Sequence, residues 1–336
     1  MLRAVKSSAS AIGLSCLLLL TGCGSSGGDS SSGANGGKMS VTVALGDSPT
    51  SDLFMAGTVT AEKFGEWKSR GLTVKNIVSG GAGKVNQLLA AGSADIGLTG
   101  APGEASAIAK GLKARIVAGV QLPYYQNVIV QHSSTASKFA DLKGKTFGVT
   151  SIGSAGYYAT VKLAQSQGWK VNDDIKIVAL GSLDSLSAAL SSRSIDAFVF
   201  GAQTAWQLEA KGVGRDLGSL KDIIGPTVFE GIYATQKLIE ENPNALRAYL
   251  NGYFAAVRRL QADKSEFEGQ LKAWGFDESI AKRLSALDLP TLVSDGVIPE
   301  ENLKGLAAAV PVLNPTIKKA PPIDSIVDQR FLPANK

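Results

Sequence analysis

From residue 41 onward, short β-rich runs alternate with stretches whose apolar residues recur at helical spacing. VTVAL, Val41 to Leu45, reads as a strand. In SDLFMAGTVTAEKFGEWKSRG, residues 51–71, the positions Leu53, Phe54, Val59, Phe64 and Trp67 recur at roughly helical spacing, and Gly71 stops the run. A strand over Thr73 to Val78, a short helix in KVNQLLAAG and a strand in ADIGLTG complete a first set. The second set has the strand KTFGVTS, a helix from Ala155 to Gly168, the strand IKIVAL, a helix from Asp184 to Ser192 and the strand DAFVFG. Such alternation predicts parallel sheets with helices on both faces.

The two sets echo each other. Aligning Asp95 with Asp196 lays LAAGSADIGLTGA over LSSRSIDAFVFGA, so that Leu89 meets Leu190, Ser93 meets Ser194, Gly100 meets Gly201 and Ala101 meets Ala202. The echo predicts two similar α/β lobes. NVIVQH (Asn127 to His132) reads as the path out of the first lobe and TVFEGIYATQ (Thr227 to Gln236) as the path back. The remainder reads as helical: Asn242 is a candidate N-cap with Pro243 at the first helical position, opening a long amphipathic run to about Ala262. PEENLKGLAAAV and the tail from Asp324 to Phe331 are also read as helices.

The N-terminal pattern differs. Met1, Arg3 and Lys6 precede an uncharged run from Ser7 to Thr21 that peaks in CLLLL, too short for a spanning helix with ordinary flanks. The run ends in Leu20-Thr21-Gly22-Cys23, which looks like a bacterial lipobox, so residues 1–22 are expected to be a lipoprotein signal peptide and Cys23 the lipidated first residue. GSSGGDSSSGANGG, residues 24–37, has no apolar surface to bury and is expected to act as a flexible tether, making 23–37 a membrane linker.

Composition narrows the reading further. The only other cysteine, Cys16, lies in the signal, so the mature chain is expected to have neither a disulfide nor a free thiol. Loss of Arg3 and Lys6 lowers the formal net charge from +5 to +3, and no basic tract stands out. Nucleic acid is therefore an unpromising partner.

With lipobox, tether, lobes and the NPNALRAYLNGYFAAVRRL helix in view, the chain resembles the substrate-binding proteins of ABC importers. It is most similar to the group that takes sulfonates, taurine, nitrate or thiamine-pyrimidine precursors, called SsuA/THI5-like or NMT1-like. The resemblance spans about Val41 to Phe331 and rests on LLAAGSADIGLTG, FADLKGKTFGVTSIGSAGYY and LIEENPNALRAYL. It implies an α/β, two-lobed periplasmic-binding-protein-like (type II) fold with a ligand cleft. Residues 38–126 would form the first part of lobe 1, 127–231 lobe 2, and 232–336 the C-terminal helical part of lobe 1. It also implies a monomer anchored outside the cytoplasm by lipid on Cys23, a small-molecule ligand and an ABC permease as partner.

Ligands of open α/β sheets sit beyond the carboxyl ends of the strands. The loops there are GDSPTSD, SGGAGK and TGAPGE from one lobe, and SIGSAGYY, GSLDS and FGAQTAW from the other. Their Gly, Ser and Thr suit backbone and hydroxyl donors at a helix start, the usual seat of an oxyanion. Candidate ligand contacts are Ser48, Thr99, Tyr124, Asn127, Ser151, Ser154, Tyr157 and Phe200. Each has a plain alternative: Ser48 and Thr50 as helix caps, Gly153 and Gly156 as turn residues, Tyr157 and Tyr158 packed on the sheet, Phe200 and Trp206 in the core. Lys84 is the only basic residue in these loops, which favours an organic ligand with one anionic group, such as a sulfonate or taurine, or a neutral heteroaromatic, over a small hard ion.

Enzyme chemistry finds little support. His132 is the only histidine, no G-x-S-x-G elbow is present, and Asp173-Asp174, Glu240-Glu241 and Glu300-Glu301 are sequence neighbours that do not face one another. No metal or cofactor site is expected. Hinge closure around Asn127 to Gln131 and Thr227 to Tyr233 is the expected mechanism.

Overall fold

The computed structural model describes residues 39–48, 53–123 and 126–334. The expected signal peptide, Cys23, the linker, Thr50 and Tyr124 lie outside them. Ten strands run in chain order as β1 (Met39–Leu45), β2 (Leu72–Val78), β3 (Ile96–Gly100), β4 (Ala114–Gln121), β5 (Asn127–Gln131), β6 (Thr146–Val149), β7 (Lys176–Ala179), β8 (Ala197–Phe200), β9 (Gly214–Ser219) and β10 (Glu230–Thr235). They form two five-stranded sheets of matching order, β2-β1-β3-β10-β4 and β7-β6-β8-β5-β9.

In each sheet the first three strands are parallel and the fourth is antiparallel to both neighbours. That fourth strand is the one arriving from the other lobe. β5 therefore lies inside the second sheet and β10 inside the first. The crossings themselves fall between the ends of β4 and β5 and between those of β9 and β10, so Asn127–Gln131 and Glu230–Tyr233, expected to be hinges, are sheet strands.

The sequence echo has a physical origin. The Asp95 carboxylate accepts from the Thr42 N–H of β1 at 2.8 Å, and the Asp196 carboxylate accepts from the Thr146 N–H of β6 at 2.9 Å. Each aspartate also donates its own N–H to the carbonyl of that same residue, at 2.8 and 2.9 Å. The same side chain thus ties a central strand to its parallel neighbour in both lobes.

Both faces of the first sheet are covered. Val41, Val43, Leu45, Leu98 and Ile232 pack with Leu246, Tyr249, Leu250, Tyr253 and Phe254 of the Pro243–Ala262 helix. Ala44, Ile116 and Tyr233 pack with the helices Ala82–Ala90, Ala101–Ala109 and Glu300–Leu313. Burial on both faces explains why these strands read as continuous apolar runs. Asn242 caps the long helix as expected, its Oδ1 accepting from Ala245 N at 3.3 Å with Pro243 next in line. Trp67 stacks on Tyr249 with ring centroids 5.3 Å apart and donates to the Tyr249 carbonyl at 3.0 Å. Gly252 makes room for that indole, since a Cβ there would run into it.

Two local expectations fail. The first long helical run ends early: its α-helix is Ala56–Lys63, followed by a chain reversal at Gly65, whose φ of +65° suits glycine. The tail from Asp324 to Phe331 is not helical beyond the single turn Ile323–Ser325. Instead Ile116 N–H donates to Ile326 O at 2.9 Å and Asp328 N–H to Ile116 O at 2.8 Å. The unpaired edge of β4 outcompetes a local helix for these backbone groups.

Candidate functional site

The carboxyl ends of the parallel strands in the two lobes face each other and touch. Gly103, in the first helix after β3, lies against the Gly153 carbonyl so closely that a Cβ would collide with it. A Cβ on Gly100 would stand 2.8 Å from the Ala155 Cβ. On the β2 side the approach is looser, with Gly81 facing Gly181 O and Ser151 Oγ at 3.6 and 3.9 Å from the position its Cβ would take. Farther round, the Arg283 guanidinium from the Glu278–Leu287 helix lies 3.6 Å from the Trp206 ring centroid.

Between these contacts a cavity of about 400 Å³ spans the two lobes. Asp47, Ser48, Val78 and Gly80 line it from the first lobe, and Ser182, Leu183, Asp184 and Gln207 from the second. Its size falls in the range of small-molecule sites. Its charged lining is acidic.

The eight expected contacts divide by surroundings. Ser48 is exposed and lines the cavity. Ser151 is half-buried, faces Gly81 across the lobe boundary and is not part of the cavity lining; its hydroxyl oxygen is buried with no hydrogen-bond partner among the described residues. Asn127 stands at the cleft end of β5, 8% exposed, with Nδ2 donating to Asp216 at 2.7 Å and Oδ1 unpartnered. Ser154 serves as a helix cap, its hydroxyl accepting from Tyr157 N at 3.2 Å. Thr99 is buried beneath Gly46 and lies against the Tyr233 hydroxyl. Tyr157 packs with the second lobe's core, and Phe200 is buried edge-on to Phe198 at 6.4 Å. Tyr124 lies outside the described residues.

Three acidic residues at this end of the first sheet were missed from sequence. Asp47 follows β1 closely, and burial pushes its carboxyl up to about 6. Glu230 opens β10 opposite Gly100 and is 4% exposed. Glu104 sits fully buried in the first turn of the Ala101–Ala109 helix, where burial holds it well above the usual carboxylate range despite the Tyr233 hydroxyl and the Asn86 amide beside it. The GDSPTSD and TGAPGE loops drew attention for their small residues; the acids within them carried the available signal. Lys84 is exposed and outside the cavity lining. Among the described residues no cluster of three or more His, Cys, Asp or Glu side chains forms a metal site.

A family model described as NMT1/THI5 like matches residues 54–263. The chain belongs to the NMT1/THI5-like family. No curated protein matches it. Among solved structures this NMT1/THI5-like chain is similar to a protein from Bordetella bronchiseptica RB50, with TM-score 0.76 and 24% identity over 88% of this chain and 96% of that one. It is also similar to the alkanesulfonate-binding protein SsuA from Xanthomonas axonopodis pv. citri bound to MOPS, with TM-score 0.71 and 17% identity over 85% and 97% of the two chains. A third is a DSZB mutant in complex with biphenyl-2-sulfinic acid, with TM-score 0.58 and 15% identity over 86% and 97%. These likenesses establish the periplasmic-binding-protein fold expected from the sequence.

Proposed function

We propose that the protein is the extracytoplasmic solute-binding component of an ABC import system, closing its two lobes on a small ligand and passing it to a permease unchanged. The observation that carries this reading is the cavity framed by strand-end loops from both lobes, with lobe-to-lobe contact on either side. A ligand touching both walls is held fully only when the lobes are closed, so its binding shifts the protein toward that state. Family membership supports the reading, as does the likeness to the Xanthomonas alkanesulfonate-binding protein. Lipid anchoring through Cys23, an extracytoplasmic location and a monomeric state belong to the same proposal, supported by the Leu20-Thr21-Gly22-Cys23 pattern and the polar tether.

An enzyme on the same fold is the competing reading. Against it, no cysteine occurs between residues 39 and 334, and His132, the only histidine, lines a separate cavity with Gln131, Leu190 and Arg193 beyond the other end of β5. The anionic ligand expected from the loops, a sulfonate or taurine, has less support than its heteroaromatic rival, because Ser154 is occupied as a cap and the cavity's charges are negative. The test is small-angle scattering of the purified protein across a ligand panel, with mass spectrometry of the recovered compound. Contraction and an unaltered compound are expected; chemical conversion would replace this reading by catalysis.

A further inference from the structure

We propose that the cleft takes a ligand bearing a protonated nitrogen (an ammonium, an amidinium or a protonated heteroaromatic ring) set between the carboxylates of Asp47 and Asp184. The inference rests on the solute-binding reading and names the chemical class of its ligand. The two aspartates line one cavity from opposite lobes. Among the described residues neither carboxylate has a hydrogen bond or an ion pair, although lysines and arginines pair elsewhere with Glu66, Asp174, Asp196, Glu266, Glu278, Glu300 and Asp328. None of the cations in these pairs reaches Asp47 or Asp184. A half-buried carboxylate lacking a counter-charge is unfavourable in the free protein, and a cation brought by the ligand relieves that penalty.

Two buried hydroxyls near the site also lack partners among the described residues. Thr204 is 3% exposed and its Oγ1 has no partner among the described residues; it lies one helical turn before Gln207, on the same face of the Ala202–Ala210 helix, and Gln207 lines the cavity. Ser151 Oγ, which faces Gly81 across the lobe boundary, is likewise buried without a partner among the described residues. The apolar part of the wall is Val78, 55% exposed, with Leu183, which suits a carbon frame rather than a bare metal ion. A sulfonate or carboxylate in the same place would meet two like charges.

The test uses thermal-shift measurements on the full protein with matched probes: benzamidine, benzyl alcohol and benzenesulfonate, then butylamine, butanol and butanesulfonate, with calcium and zinc ions alongside. Cationic probes are expected to raise the melting temperature more than their partners of the same frame. Calorimetry should then show Asp47→Asn weakening the best cation about tenfold or more, with Asp184→Asn, nearer the rim, losing less. Circular dichroism checks that both variants fold. Stabilisation by the sulfonates or by the metal ions alone, or cation binding unchanged in folded Asp47→Asn, overturns the inference and leaves solute binding standing. Silence across all probes overturns the inference, and the scattering test then decides solute binding by itself.

Discussion

Replacing Gly103 by alanine places a methyl group against the Gly153 carbonyl, across the boundary between the lobes. Within its own lobe the change is favourable, because alanine in a helix is better than glycine by about 0.5–1 kcal/mol. On the proposed lobe closure, the clash exists only when the lobes are together. Overpacking of this kind costs about 1–3 kcal/mol, and placed on the closed state alone it lowers that state's population by roughly 5- to 150-fold. Apparent ligand affinity should fall by the same factor, since only the closed form is fully competent. Gly83→Ala is the matched control: its Cβ would meet Ser151 Cβ at 3.8 Å, an ordinary contact across the same boundary. Calorimetry with any ligand of the parent protein, paired with small-angle scattering, reads the effect. Gly103→Ala should bind more weakly, remain more expanded with ligand and melt no earlier than the parent, while Gly83→Ala matches the parent. Equal affinity and equal compaction in both variants would show that this contact takes no part in closure.

Two other outcomes follow from the same geometry. Because burial raises Asp47 from 3.8 in the unfolded chain to about 6, the folded state holds its proton more tightly. Stability from this group is therefore full below about pH 4, is lost as pH rises through about 6, and is flat above. The charged group facing Asp47 across the cavity is Asp184. Asp47→Asn should accordingly melt higher than the parent near neutral pH, with the gap closing at acid pH; a gap independent of pH would refute the assignment. Asp95→Ala and Asp196→Ala should each destabilise by about 1–3 kcal/mol, because each leaves a strand N–H without its carboxylate partner. Urea denaturation followed by circular dichroism measures both, and a neutral effect at either position would mean that the repeated tie is incidental.

The lobes were legible in the sequence because a local device recurs. Asp95 and Asp196 must each reach the backbone of a parallel neighbour, so the residues around them are constrained in the same way twice. The strands β4 and β9 were not singled out: RIVAGVQ lacks alternation because both faces are covered, and GRDLGS carries two glycines and two charges. The Ala101–Ala109 helix was read only as a loop because Pro102 and Gly103 open it, yet Pro102 sits in the first turn, where no N–H partner is lost. Within the cleft, sequence could find the loops but not how their donors are engaged. Ser154 is as apt for a helix cap as for an anion, and only coordinates show the Tyr157 N–H already on it. The weight of Asp47 was hidden for a related reason, since an aspartate after a strand is commonplace until its surroundings are known.

Each sheet takes its fourth strand from a part of the chain that has already visited, or is about to leave, the opposite lobe. β3 and β4 are joined only through β10, which begins more than a hundred residues after β4 starts. During synthesis the first lobe must therefore wait with a vacant lane between two strands until residue 235 has emerged, by which time the second lobe is entirely made. The first half cannot be excised as a continuous piece with its sheet complete, whereas residues 127–219 carry all five strands of the second sheet, so a truncation between the lobes should leave an aggregation-prone first-lobe fragment.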